Sequence, residues 1–204
     1  MLVVGLTGSM GMGKSTAAAR LRALGIAVFD ADAEVHKLYE GPASAAIEAS
    51  FPGTTENGRV DRQNLAAVLG SDPASFKRLE HIVHPLVQAA EKAFLQARVD
   101  AGDTLAVLEI PLLYETGADA RMDAVIVVSA SAEVQRVRLL TRPGMTAEKL
   151  KNLLARQKPD AEKRRRADFV VDTIGTVTET ETQIDAIVEF LRDRQGRAFE
   201  RFWK

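Results

Sequence analysis

A glycine-rich segment between an apolar run and a helical one, Gly8-Ser9-Met10-Gly11-Met12-Gly13-Lys14-Ser15, constrains this chain more than any other stretch. It fits G-x-x-x-x-G-K-[ST] with both glycines, the lysine and the hydroxyl in register. Leu2-Val3-Val4-Gly5-Leu6-Thr7 before it has the length and apolarity of a buried strand, and Thr16 to Leu24 after it reads as a helix. Gly8, Gly11 and Gly13 let the backbone turn tightly enough for successive N–H groups to face an anion. The helix that follows adds the positive end of its dipole at the same spot. Lys14 reaches the outer phosphates as a point charge, and Ser15 offers a hydroxyl to Mg²⁺. Gly8 through Thr16 are therefore expected to hold a nucleoside triphosphate, with Ser9, Met10 and Met12 contributing backbone rather than side chains. The bare pattern arises by chance in roughly one chain in a hundred of this length. Here the strand and helix it requires are both present.

The rest of the composition excludes more than it proposes. At 204 residues the chain has room for one core and a small inserted subdomain. A net charge of −1 gives no electrostatic reason for a nucleic acid or a membrane surface as partner. The absence of cysteine excludes disulfides and thiolate metal sites and suits a reducing cytosol, so a cytoplasmic location is expected. Met1 leads straight into the first strand, so no signal or transit peptide is expected. No apolar run reaches the length that spans a bilayer.

Along the chain, Gly25 is a natural stop for the first helix, and Ile26 to Phe29 is a short strand running into Asp30-Ala31-Asp32. Ligands of open parallel sheets sit beyond the carboxyl ends of the strands. Both carboxylates are thus expected on the edge that carries the phosphate loop, on one side of the backbone if the chain stays extended. Asp32 is the favoured general base for a hydroxyl acceptor, and Asp30 can hold Mg²⁺ through water. The competing role for Asp32 is capping the helix that starts at Ala33.

Residues 34–102 read as helical, with breaks at Gly41-Pro42 and Pro52-Gly53. Asp61 is an expected cap with Val60 and Leu65 as a staple. Asp72-Pro73 marks a second start, and a further helix is expected from Pro85 to Val99. So long an excursion exceeds a simple crossover and points to an inserted substrate-binding subdomain. His81 and His84 lie three apart without a third ligand, which leaves capping and substrate contact both open for His84.

Thr104 to Glu109 is the next strand, and its terminal acid occupies the position where a Walker-B carboxylate holds Mg²⁺ through water. A solvated strand end is the alternative for Glu109. Asp123 to Ser129 reads as a central buried strand, Ser131 caps the following helix, and Thr146 caps another. Arg138 and Arg142 lie four apart on one helix surface. Arg142 sits at the Pro143-Gly144 break, where a lid would carry its cations. Lys163 to Arg166 reads as a solvated basic face. Phe169 to Asp172 is the fifth strand, followed by a helix over Val177 to Arg194. Asp172-Thr173-Ile174-Gly175 matches the D-x-x-G of a GTPase switch but comes too late in the chain, and N-K-x-D is absent. The tail, with Phe199, Phe202 and Trp203, packs either on the body or on a partner.

Taken together, Leu6-Thr7-Gly8 to Ser15, Asp30-Ala31-Asp32, His84-Pro85, Ile110 to Glu115, and Gln157 through Lys163 to Val170 resemble the dephospho-CoA kinase family over residues 2 to about 175. That resemblance implies an α/β P-loop NTPase fold of three layers with a five-stranded parallel sheet. It also implies a helical CoA-binding insertion at about 33–102 and a lid at about 142–166, leaving a core of 1–32, 103–141 and 167–195. The implied reaction is phosphorylation of the ribose 3′-hydroxyl of dephospho-CoA by ATP with Mg²⁺. The chain would work as a monomer or weak homo-oligomer. By position in the motif, Asp32 corresponds to the general base and Arg142 to the lid arginine. Thr7, His84, Pro111, Leu112 and Leu113 fall where the acceptor binds. The family loop commonly reads G-G-I-G-S-G-K-S, so Ser9, Met10 and Met12 are departures at positions that bind through backbone. Another small-molecule or nucleoside monophosphate kinase, a GTPase-like switch and a non-catalytic nucleotide scaffold are the competing readings.

Overall fold

In the computed structural model of the chain, residues 1–71 and 73–204 are described, with backbone alone at 71 and 73. The apolar start forms β1 (Leu2–Thr7), buried at every residue. The loop passes directly into α1 (Lys14–Ala23), two residues earlier than expected, because Gly13 at φ 87° already closes the loop. Gly25, also in the left-handed region, stops α1 as expected. β2 (Ala27–Asp30) leads without a break into α2 (Ala31–Tyr39), and α3 (Ser44–Ser50) follows the Gly41-Pro42 break.

A hairpin of β3 (Thr55–Glu56) and β4 (Arg59–Val60) is an element the sequence reading lacks. Asn57 and Gly58 between them have φ of 52° and 76°, the two left-handed residues of a tight hairpin turn. α4 (Arg62–Ser71) begins as expected: Asp61 Oδ1 accepts from the N–H groups of Gln63 and Asn64 at 2.9 and 3.1 Å. Val60 and Leu65 are buried in one cluster. Asp72, the expected cap of the next helix, lies outside the described residues. α5 (Pro73–Asp100) is a single helix of 28 residues that runs through Pro85, which corrects the separate helix expected to start there. A proline inside a helix removes one hydrogen bond and crowds the preceding turn. Here Ile82 and Val83 before it, and Leu86 and Val87 after it, all pack on the same apolar cluster. Burial on both sides of the proline outweighs the local penalty.

The remaining elements are β5 (Leu105–Glu109), a 3₁₀ turn at Ala118–Arg121, β6 (Ala124–Ser129), α6 (Ala132–Leu140), α7 (Ala147–Leu154), α8 (Asp160–Arg166), β7 (Phe169–Asp172) and α9 (Val177–Arg192). The expected caps of α6 and α7 are present: Ser131 Oγ accepts from the Val134 N–H, and Thr146 Oγ1 from that of Lys149, each at 3.2 Å. No helix among the described residues is long and apolar enough to cross a membrane.

The chain packs as two units, one of Met1–Phe29 with Leu95–Lys204 and one of Asp30–Phe94. The first holds a five-stranded parallel sheet in the order β2-β5-β1-β6-β7. β1 is its centre, with Leu6 opposite Glu109 of β5 and Thr7 opposite Val127 of β6. Alternation along β1 divides the burial. Leu2, Val4 and Leu6 form one core with Ala17, Ala18 and Leu21 of α1 and Ile184, Val188 and Leu191 of α9. On the strands' other residues, Val3, Ala106, Leu108 and Val127 are equally enclosed. Burial of each such side chain is worth about 1.5–3 kcal/mol. The C-terminal tail packs on this same unit. Phe199 and Trp203 are buried, and Trp203 Nε1 donates to the Arg121 carbonyl at 3.0 Å. Asp123 Oδ1 accepts from the Arg197 and Ala198 N–H groups. The second unit closes around Leu38, Ile47, Phe51, Leu69 and Val83.

Candidate active site

The phosphate loop leaves the centre of the sheet pressed against its neighbour. A Cβ on Gly8 would stand 2.4 Å from Val128 Cγ2 and 2.6 Å from the Val128 carbonyl oxygen, so only glycine fits. Gly11 and Gly13, at φ 78° and 87°, supply the left-handed turns. Met12, a departure from the common family loop, is 2 % exposed and belongs to the core, where its sulfur accepts the Ala130 N–H at 3.1 Å. Ser9 is also buried, and its carbonyl accepts the Met12 N–H at 3.1 Å.

Four side chains from three distant segments fasten the loop. Gln157 Oε1 accepts from the Met10 N–H at 3.2 Å, and Gln135 Nε2 donates to the Met10 carbonyl at 2.7 Å. Thr173 Oγ1 donates to the Met12 carbonyl at 3.0 Å. Arg138 Nη1 donates to Thr173 Oγ1 at 3.1 Å and more distantly to the Gly11 carbonyl at 3.4 Å, while its Nη2 donates to the Thr173 carbonyl. The N–H groups of Gly11, Gly13 and Ser15 have no hydrogen-bond partner among the described residues. Lys14 and Thr16 are half-buried and Ser15 is exposed, all in the first turn of α1. Backbone donors at a helix N-terminus with a lysine beside them form an anion site.

Glu109 ends β5, the strand beside β1, and is 8 % exposed with the Arg22 guanidinium 3.8 Å from its carboxylate. Thr7 is fully enclosed and donates its hydroxyl to the Pro111 carbonyl at 3.2 Å. Pro111 and Leu112 are half-buried. Leu113 is fully buried, and a Cβ on Gly5 would lie 2.5 Å from its Cδ1. Arg142 is exposed and makes no ion pair among the described residues.

Lys163 overturns the reading of Lys163 to Arg166 as a solvated face. It is 0 % exposed, and its ammonium lies 2.9 Å from Glu115 Oε1, close enough for an ion pair though off the angle of a good hydrogen bond. The same oxygen accepts from the Lys158 N–H at 2.8 Å. Arg164, Arg165 and Arg166 remain at the surface. Arg166 bonds Asp119 at 2.6 Å and covers the Tyr114 ring at 4.4 Å. Burial, ahead of the nearby Asp119 charge, pushes the Tyr114 phenol up to about 12.

In the second unit, Asp30 rather than Asp32 caps α2, accepting from the Ala33 N–H at 2.9 Å. The backbone does not stay extended through Asp30-Ala31-Asp32, because the helix starts at Ala31 and two further residues carry Asp32 more than half a turn round. The two carboxylates therefore do not share one side. Asp32 is exposed in the first turn of α2, and His84 is exposed on α5. His81 Nδ1 lies 2.7 Å from the Lys77 carbonyl. Among the described residues no group of three or more His, Asp or Glu side chains forms a metal cluster.

A phosphate loop on the central parallel strand, an acid ending the strand beside it and a helix launched from Lys14 define a P-loop NTPase fold. Among solved structures the fold is similar to TT1252 from Thermus thermophilus, with a TM-score of 0.79 and 34% identity over 93% of this chain and 97% of that one. It also matches a dephospho-CoA kinase from Campylobacter jejuni in fold, with a TM-score of 0.71 and 24% identity over 93% and 96% of the two chains. The dephospho-CoA kinase family model matches residues 2–179, and the chain belongs to that family. It is 55% identical to a dephospho-CoA kinase of Nitrobacter winogradskyi over 92% of this chain and 94% of the relative. It is 56% identical to one of Rhodopseudomonas palustris over 93% and 95%.

Proposed function

We propose that the chain transfers the γ-phosphoryl group of ATP to the ribose 3′-hydroxyl of dephospho-CoA, giving coenzyme A and ADP. The observation that carries this reading is the family match over residues 2–179, which includes the phosphate loop with its available amides. The amides of Gly11, Gly13 and Ser15 and the Lys14 ammonium hold the β- and γ-phosphates, which Gly8, Ser9, Met10, Met12 and Thr16 frame. Asp32 accepts the 3′-hydroxyl proton as the O3′–phosphorus bond forms and the bond to the β,γ-bridging oxygen breaks. This role rests on its place in the Asp-Ala-Asp turn and its exposure. Arg142, with its guanidinium at the surface, offsets charge on the transferring group. Thr7, through its bond to Pro111, sets the backbone of the segment that meets the acceptor, and Leu112 and His84 offer side chains to it.

Ser15 and Glu109 supply oxygen donors of the kind Mg²⁺ takes, both in the unit that carries the loop. Asp30 is less suited, because one carboxylate oxygen is occupied in capping α2. When bound, the ion neutralises phosphate charge. The protein is expected to act in the cytoplasm as a monomer or weak homo-oligomer. The test is ADP release from MgATP with dephospho-CoA as acceptor, alongside shikimate and nucleoside monophosphates. Release that depends on dephospho-CoA supports the reading. Release with another acceptor and none with dephospho-CoA overturns it.

A further inference from the structure

A trans peptide is planar, and its C=O and the N–H that follows point in opposite directions. Fixing the carbonyl of one residue therefore aims the amide of the next. Two loop carbonyls are held by buried side chains from outside the loop. Gln135, 7 % exposed, donates to Met10 O at 2.7 Å, and Thr173, 4 % exposed, donates to Met12 O at 3.0 Å. The amides that these peptides aim are those of Gly11 and Gly13, which have no partner among the described residues.

The Thr173 bond is directed by its surroundings. Its hydroxyl has one proton and two acceptors in range, Met12 O at 3.0 Å and Ser129 O at 3.3 Å. Met12 O is the nearer acceptor, and Arg138 donates into the Thr173 oxygen from one nitrogen and to the Thr173 carbonyl from the other, which holds the residue in place. The side chain also lies under Gly13, where a Cβ would stand 3.2 Å from three of its atoms.

We propose that Gln135 and Thr173 are positioning residues of the nucleotide site, each orienting one phosphate-binding amide: Gln135 that of Gly11 and Thr173 that of Gly13. Arg138 braces Thr173. Neither positioning side chain touches ATP. They set in advance the direction of donors whose charge-assisted bonds to phosphate lose strength steeply with angle. This inference rests on the reading of the loop as the ATP site.

The experiment uses the full chain with Thr173→Val, Thr173→Ser and Gln135→Met. MgATP affinity is measured by calorimetry, KM for each substrate by ADP release, and the Gly11 and Gly13 amide resonances by NMR. In wild type, MgATP should shift both amides. Thr173→Val should shrink the Gly13 response and leave that of Gly11. Gln135→Met should do the reverse. Each should weaken MgATP binding about tenfold, the order of one misaimed hydrogen bond to a charged group. The acceptor KM should be unmoved, and Thr173→Ser should restore affinity to within about threefold.

Unchanged MgATP affinity in both variants overturns the inference, as does loss of both amide responses in each single variant or failure of serine to rescue. If Thr173→Val does not fold, Gln135→Met decides through Gly11. A wild-type chain that neither binds MgATP nor phosphorylates dephospho-CoA sinks the underlying reading. A wild type that does both, with variants that match it, sinks this inference alone.

Discussion

Replacing Lys163 by Met tests whether a buried ion pair holds the segment after β5 to α8. Lys163 is 0 % exposed and the Glu115 side chain 13 %, with 2.9 Å between the charged atoms. At an effective dielectric constant of about 20, that separation corresponds to roughly 6 kcal/mol of gross attraction. Desolvating the two ions costs several kcal/mol each, so the pair as a whole contributes little net stability. Removing one partner is different, because the remaining charge stays enclosed. Breaking a buried pair costs about 3–5 kcal/mol. The lower end applies here, since Glu115 keeps its bond from the Lys158 N–H and a small exposed fraction. Methionine fills the space of the lysine stem, so cavity formation adds little.

A loss of about 3 kcal/mol in a chain of this size lowers Tm by roughly 6–12 °C. Glu115→Gln alone should also destabilise, by stranding the ammonium. In Lys163→Met with Glu115→Gln no charge remains, while the side-chain oxygen still accepts from Lys158. The double variant should return to within about 1 kcal/mol of wild type, giving a coupling of at least about 2 kcal/mol. Urea unfolding followed by circular dichroism measures all four proteins. A loss below about 1 kcal/mol for Lys163→Met, or additive single losses, would refute the reasoning.

Asp32→Asn should lower kcat by roughly 10²–10⁴-fold with ATP affinity little changed, measured by ADP release and calorimetry; a fall under about threefold would remove Asp32 from the role of base. Gly8→Ala places a Cβ 2.4 Å from Val128 Cγ2 and 2.6 Å from its carbonyl oxygen. It should cost about 1–3 kcal/mol and raise the KM for ATP more than that for the acceptor, and equal KM values would refute it. Tyr114 is 3 % exposed and its hydroxyl has no partner among the described residues. Its phenol, pushed up to about 12 from an ordinary value near 10, keeps its proton in the folded chain where the unfolded chain loses it. The stability of wild type relative to Tyr114→Phe should therefore be flat below pH 10 and fall between pH 10 and 12. A difference that does not change across that window would refute the assignment.

The residues that were legible in sequence are those whose role follows from a neighbour or two. Gly8, Gly11, Gly13, Lys14 and Ser15 form one uninterrupted motif, and Ser131, Thr146 and Asp61 cap helices through bonds reaching two or three residues ahead. The β3–β4 hairpin carried its Asn-Gly signal, but strands of two residues show no alternation to confirm it. Pro85 misled because local proline chemistry opposes a helix that apolar burial on both sides sustains. Which of Asp30 and Asp32 caps α2 was left open in sequence because either can cap, and only the position of the first helical residue decides between them.

The side chains that fasten the phosphate loop lie beyond any local rule. Gln135, Arg138, Gln157 and Thr173 are 125, 127, 147 and 161 residues away from the loop residues they bond. Arg138 reads as one more surface arginine on α6, and Thr173 sits inside the D-x-x-G match that means nothing as a switch. What reveals them is the carbonyl side of the loop. A motif of glycines states which residues permit the turn, yet glycine's freedom also admits conformations with the carbonyls turned inward. Some part of the fold must choose among them, and for the Met10 and Met12 carbonyls the choosers are donors from outside the loop. The parallel sheet supplies that choice by placing β6 beside β1 and β7 beside β6, so that α6 and the residue after β7 arrive at the two carbonyls. The conformation of the motif thus depends on sheet order as well as on its own eight residues.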